Sequence, residues 1–130
     1  MKDINKIILI GRLGADPTQK STSYGAVVNF PMATGRKVKG QAEDGTPTER
    51  EETQWHRIVV WGKQGEACAQ YLQKGATVFV EGALKTRKYE DAEGRERISV
   101  EVIADQVSFL RTMKRIGAPA EGMAEATVGA

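Results

Sequence analysis

Two stretches of period-two alternation late in the chain constrain its fold most tightly. Thr77 to Tyr89 lines up Val78, Val80, Gly82 and Leu84, and Arg95 to Val107 lines up Ile98, Val100 and Val102, with a turn at Asp91-Ala92-Glu93-Gly94 between them. Alternate side chains of an extended chain point to opposite faces, so the pair reads as an antiparallel hairpin with one buried face. Three strand-like segments precede it. Ile4 to Leu13 carries Ile7-Ile8-Leu9-Ile10 and ends before a turn at Asp16-Pro17, with Gly11 and Gly14 suggesting a bulge or sharp bend. Ala26 to Thr34 carries Val28, Phe30 and Met32 on one face, with Pro31 tolerable only at an edge or distortion, and Thr53 to Trp61 is the third. Lys63 to Lys74 then reads as a helix of about three turns, with Cys68, Tyr71 and Leu72 at i, i+3, i+4 spacing and Gly75 at the stop position.

Three strands, one helix and two strands is the order of the OB-fold, an all-β, five-stranded, partly open barrel whose helix sits between the third and fourth strands. A chain of 130 residues fits one such domain, taken as residues 1–112. From about Arg115 onward the sequence is Gly-, Ala- and Glu-rich without periodicity, so 113–130 is expected to be a flexible tail. Gly35 to Glu52 is charged and almost free of apolar residues, and is expected to be a long mobile loop.

Composition excludes several classes of function. No apolar run approaches the roughly 20 residues of a membrane helix, and the N-terminus lacks a signal-peptide pattern, so a cytoplasmic location is expected. The single cysteine, Cys68, allows neither an internal disulfide nor a multi-cysteine zinc site, and its helical position suits a small buried apolar residue. His56 has no second histidine or cysteine at ligand spacing, no phosphate-binding loop is present, and Glu90, Asp91 and Glu93 suit a solvated turn better than a metal site. Catalysis, a metal and a cofactor are therefore not expected.

What remains is a set of rings interleaved with cations on strands. Trp55 and Trp61 are six residues apart, which places both on one face of a regular strand with Arg57 and Val59 between them, while Ile58 and Val60 on the other face supply the core. Lys85, Arg87 and Tyr89 share a face by the same period. A flat ring stacks on any base and neighbouring cations neutralise phosphates, so the combination suits single-stranded nucleic acid without sequence preference. The net charge of +2 is small, but cations cluster at Arg36, Lys37 and Lys39, at Lys85, Arg87 and Lys88, and at Arg111, Lys114 and Arg115, with acids concentrated in Glu43 to Glu52 and Glu90 to Glu96. Two other readings stay open at this point: an RNA-binding or primosomal OB-fold protein, and an oligomeric scaffold with its rings buried between subunits.

Over roughly residues 1–110 the chain resembles the bacterial single-stranded DNA-binding protein family. The resemblance rests on Asn5-Lys6-Ile7-Ile8-Leu9-Ile10-Gly11 with Leu13-Gly14 and Asp16-Pro17, on Thr53-Gln54-Trp55-His56-Arg57-Ile58-Val59, on Tyr71-Leu72-Gln73-Lys74-Gly75, and on Val80-Glu81-Gly82 with Thr86-Arg87-Lys88-Tyr89. It implies an OB-fold that assembles as a homotetramer and wraps single-stranded DNA in replication, recombination and repair, associated with the nucleoid. Trp55 falls on a stacking tryptophan of that family, Trp61 on an aromatic position and Tyr89 where a stacking tryptophan is common. The loop position that often holds another tryptophan is occupied near Val38, which leaves more of the affinity to Arg36, Lys37, Lys39, Lys63, Lys74, Arg87 and Lys88. His56 matches a histidine associated with the subunit interface. The family's tail ends in an acidic tip with Pro-Phe, whereas this chain ends Glu125-Ala126-Thr127-Val128-Gly129-Ala130. The resemblance therefore does not carry recruitment of replication and repair proteins over to this chain, which is either shortened or a variant that binds without recruiting them.

Overall fold

The computed structural model of the chain describes residues 2–113. Six strands and one helix follow in the order β1 (Ile7–Leu13), β2 (Thr18–Thr22), β3 (Gly25–Gln41), β4 (Pro47–Trp61), α1 (Gly62–Tyr71), β5 (Leu72–Glu90) and β6 (Glu96–Met113). The sheet order is β1-β5-β6-β4-β3-β2, and a further β1–β3 pairing closes it into a ring. Closure needs two backbones to approach closely, and Gly11 makes that possible: a Cβ built there would stand 2.2 Å from the carbonyl oxygen of Ala33 on β3. Val28, Phe30 and Met32 of β3, Ile58 and Val60 of β4, Val78 and Val80 of β5 and Val102 and Val107 of β6 fill the interior with Leu13. Cys68 and Leu72 complete this core at the end covered by α1, and burial pushes the Cys68 thiol up to about 12.

Four expectations need correction. Gly35 to Glu52 is not a loop but a two-stranded ribbon, with β3 and β4 paired continuously from Val27↔Trp61 to Gln41↔Pro47. Its pairing buries no apolar face, so hydrophobic alternation gave no sign of it. The backbone ladder and a compact turn hold it instead, with Thr46 N–H donating to Asp44 Oδ1 at 2.9 Å and Gly45 N–H donating to the carbonyl of Ala42. The wholly exposed strand β2, which pairs with β3, was missed for the same reason. The helix stops at Tyr71, not Lys74, because Leu72 turns extended and drops into the core; Gly75 lies in the irregular opening of β5. The alternation of the late hairpin also outruns the core. Val78 and Val80 are buried, but Leu84, Ile98 and Val100 stand exposed where β5 and β6 project beyond the barrel.

Candidate nucleic-acid interface

The unbroken β3–β4 register keeps the period of β4 strict, so Trp55, Arg57 and Trp61 emerge on the outer face while Ile58 and Val60 point into the core. Trp55 is 61% exposed and Trp61 43%. At about 3.3 Å per residue they stand roughly 20 Å apart along the strand. Trp55 lies over Gly14, where a Cβ would meet its six-membered ring at 2.4 Å, so the glycine gives the indole a flat seat. Beside it opens a cleft of about 480 Å³, whose walls include Trp55, Arg12, Gly14, Lys74 and Gly75.

The parallel pairing of β4 with β6 brings Arg57 opposite Glu101, and the β5–β6 ladder brings Lys85 opposite the same residue. Arg57 Nε lies 3.2 Å from Glu101 Oε2, and Arg87 Nη2 donates to that oxygen at 3.3 Å. The Arg87 guanidinium also sits 5.9 Å from the centre of the Tyr89 ring, within cation–π range. Trp55, Arg57, Glu101, Lys85, Arg87 and Tyr89 thus share one continuous outer surface. The hairpin tip beyond Tyr89 is organised by Asp91, which accepts from Arg97 Nε at 2.9 Å and from the N–H groups of Glu93 and Arg95. The Arg97 bond, with the backbone bonds behind it, holds the Asp91 carboxyl below its ordinary range.

The other expected cations are spread more widely. Lys37 and Lys39 share the face of Trp55 along the β3–β4 ribbon, whereas Arg36 lies on the opposite face of that ribbon and Lys88 on the opposite face of β5. Acids across the ribbon balance part of this charge: Arg36 faces Glu52 and Lys37 faces Glu49, both at 3.9 Å. Lys63 is exposed in the first turn of α1, close in sequence to Trp61. Lys74 borders the Trp55 cleft. His56 is half-buried on the inward side of β4, its Nε2 2.8 Å from the Thr34 hydroxyl.

Sequence reasoning missed Arg12, Gly14 and Glu101. A lone acid between Val100 and Val102 was the available signal for Glu101, since a carboxylate on a strand of this kind needs a partner; Arg12 and Gly14 gave none before β1 was seen beside Trp55.

A sequence model of the single-strand binding protein family matches residues 4–110. The chain belongs to the single-strand binding protein family. That is a family of DNA-binding proteins without enzymatic activity, in keeping with the lack of a catalytic set in the sequence. The single-stranded DNA-binding protein 1 of Chlorobaculum tepidum is 40% identical over 111 residues, covering 84% of this chain and 66% of that protein. The chain therefore spans just under two thirds of the length of that relative. Among solved structures, an SSB of Plasmodium falciparum in complex with ssDNA superposes with a TM-score of 0.71 at 34% identity, over 85% of this chain and 97% of that one. This single-strand binding family member therefore has the OB-fold expected of it, as a closed ring of strands less regular than an ideal barrel.

Proposed function

We propose that the chain binds single-stranded DNA without sequence preference, by stacking bases on Trp55, Trp61 and Tyr89 and drawing phosphates to Arg57, Lys85 and Arg87. The observation that carries this reading is the outward row Trp55–Arg57–Trp61, two large rings open to solvent with a guanidinium between them. Two exposed tryptophans on the outer surface of a filled barrel add nothing to its core, whereas each offers a platform to a base. Lys37, Lys39 and Lys74 extend the cationic track on the Trp55 side and Lys63 extends it beside Trp61, with Arg36 and Lys88 reached only by a strand that turns around the ribbon edges. Occupancy of exposed strands during replication, recombination and repair is the role this binding would serve, in the cytoplasm at the nucleoid. Among the described residues no helix is long and apolar enough to cross a membrane.

Self-association, as the homotetramer typical of the resemblance, belongs to the same proposal. Ile8 and Ile10 each leave 59% of their surface open on β1, and no strand pairs with the second edge of Ile7 to Gly11 among the described residues. An apolar strand with a free edge suits pairing with a second copy, and half-buried His56 is assigned to a subunit contact. Residues 1–112 are taken as the binding unit. Met113 closes β6, and the remainder of the expected tail lies outside the described residues.

Titration of tryptophan fluorescence with oligo-dT, single-stranded RNA and duplex DNA tests the binding. Strong quenching by oligo-dT, weaker with RNA and nearly absent with duplex, is expected. Equal response to RNA would favour an RNA-binding protein, and no response to any of them would favour the scaffold. Light scattering should give four times the chain mass, and a monomer would contradict the assembly.

A further inference from the structure

Glu101 is the one buried charged residue among those described, its side chain 8% exposed, yet it lies on the outer surface between two guanidiniums. Burying a carboxylate is costly unless it is paired, and Glu101 finds its partners in Arg57 and Arg87. Those arginines remain half open, at 50% and 52%. A guanidinium carries five N–H donors in a rigid fork. Arg57 approaches Glu101 through Nε, whereas Arg87 approaches it through Nη2 and rests against Tyr89.

We propose that Glu101 is a positioning residue that tunes this site, holding both guanidiniums with open edges toward the strand and reducing the phosphate charge they neutralise together from two to one. The inference rests on the single-stranded DNA reading above and deepens it. Two cations and one fixed anion carry a net charge of +1, so the triad releases the counterions of one phosphate, not two. Binding is thereby kept moderate and reversible where two bare arginines beside a stacking ring would hold the strand more tightly.

The test is the salt dependence of oligo-dT affinity for the full chain, compared with Glu101→Gln, which keeps the shape and removes the charge. For single strands each neutralised phosphate contributes about 0.7 to the slope of log K against log salt. Glu101→Gln is expected to steepen the slope by about 0.7, which makes binding roughly eightfold tighter at 0.05 M relative to its ratio at 1 M salt. A residue with a merely structural role would change the melting temperature and leave the slope alone. Should Glu101→Gln fail to fold, Glu101→Thr, which also removes the charge and suits a strand, serves instead, with the same steepening expected. An unchanged slope in a folded neutral variant of Glu101 would overturn the proposal while the wild type still binds. Failure of the wild type to bind oligo-dT would overturn the reading beneath it and the proposal together.

Discussion

Replacing Trp55 by alanine should weaken single-stranded DNA binding without unfolding the protein. A tryptophan side chain presents on the order of 250 Å²; with 61% of Trp55 open, about 150 Å² remains available in the free protein. A base stacked on one side of the ring covers about half of that, roughly 75 Å², worth about 2 kcal/mol at ~25 cal/mol per Å². This falls within the range of about 1–3 kcal/mol for base stacking on aromatic side chains. It corresponds to roughly 25-fold weaker binding, since about 1.4 kcal/mol is tenfold. The fold keeps its core, because Trp55 stands outside it. Fluorescence anisotropy of a labelled oligo-dT, read beside thermal melting, is the assay, and Trp55→Phe should recover much of the loss by restoring a ring. Binding within twofold of wild type in a folded Trp55→Ala variant would refute the stacking argument, as would a collapse in melting temperature that placed the indole in the core.

Gly14→Val should displace the Trp55 indole from its seat, shifting its emission and weakening oligo-dT binding several-fold; unchanged emission and affinity would show that the seat is unimportant. Gly11→Val should lower the melting temperature markedly, because its Cβ collides with the Ala33 backbone where the ring closes, a cost of about 1–3 kcal/mol for overpacking of this kind; a melting point like that of wild type would contradict the closure. Asp91 has a depressed pKa in the folded protein, so its hold on the hairpin tip is present above its ordinary value of 3.8 and is lost as pH falls through its lower folded value. Titration of the Asp91 carboxyl carbon followed by NMR should give a midpoint below that ordinary value, and a midpoint at or above it would contradict the Arg97 pairing. Cys68, with its thiol pushed up to about 12 by burial, should resist a thiol reagent at pH 8 until the protein unfolds; prompt labelling of the native chain would show that the helix end is open.

Legibility followed burial. The core strands announced themselves because each writes its inner face in Val, Ile, Phe or Met, and the outward row Trp55–Arg57–Trp61 was readable because Ile58 and Val60 fixed the opposite face of the same strand. Where pairing rests on polar groups the sequence fell silent: Arg36, Lys37, Glu49 and Glu52 read as loop, yet they lie on a ribbon held by its backbone ladder, with charges paired across it. Thr18 to Thr22 likewise gave no strand signal, since both its faces are exposed. Contacts made by the closing of the ring were equally hidden, because Gly14 meets Trp55, and Arg12 enters the Trp55 cleft, only after β1 has come beside β3. Cation clusters were the poorest guide. Arg36 and Lys37 are adjacent in sequence but point to opposite faces, and each finds an acid across the ribbon.

The most direct test of where the strand lies is photocrosslinking of an oligonucleotide carrying 5-bromodeoxyuridine, with the attached residues identified by peptide mass spectrometry. Crosslinks concentrated on Trp55, Trp61 and Tyr89, and suppressed by unlabelled oligo-dT, are the predicted result. Crosslinks confined to Tyr24, Phe79 or other rings away from this surface would contradict the account.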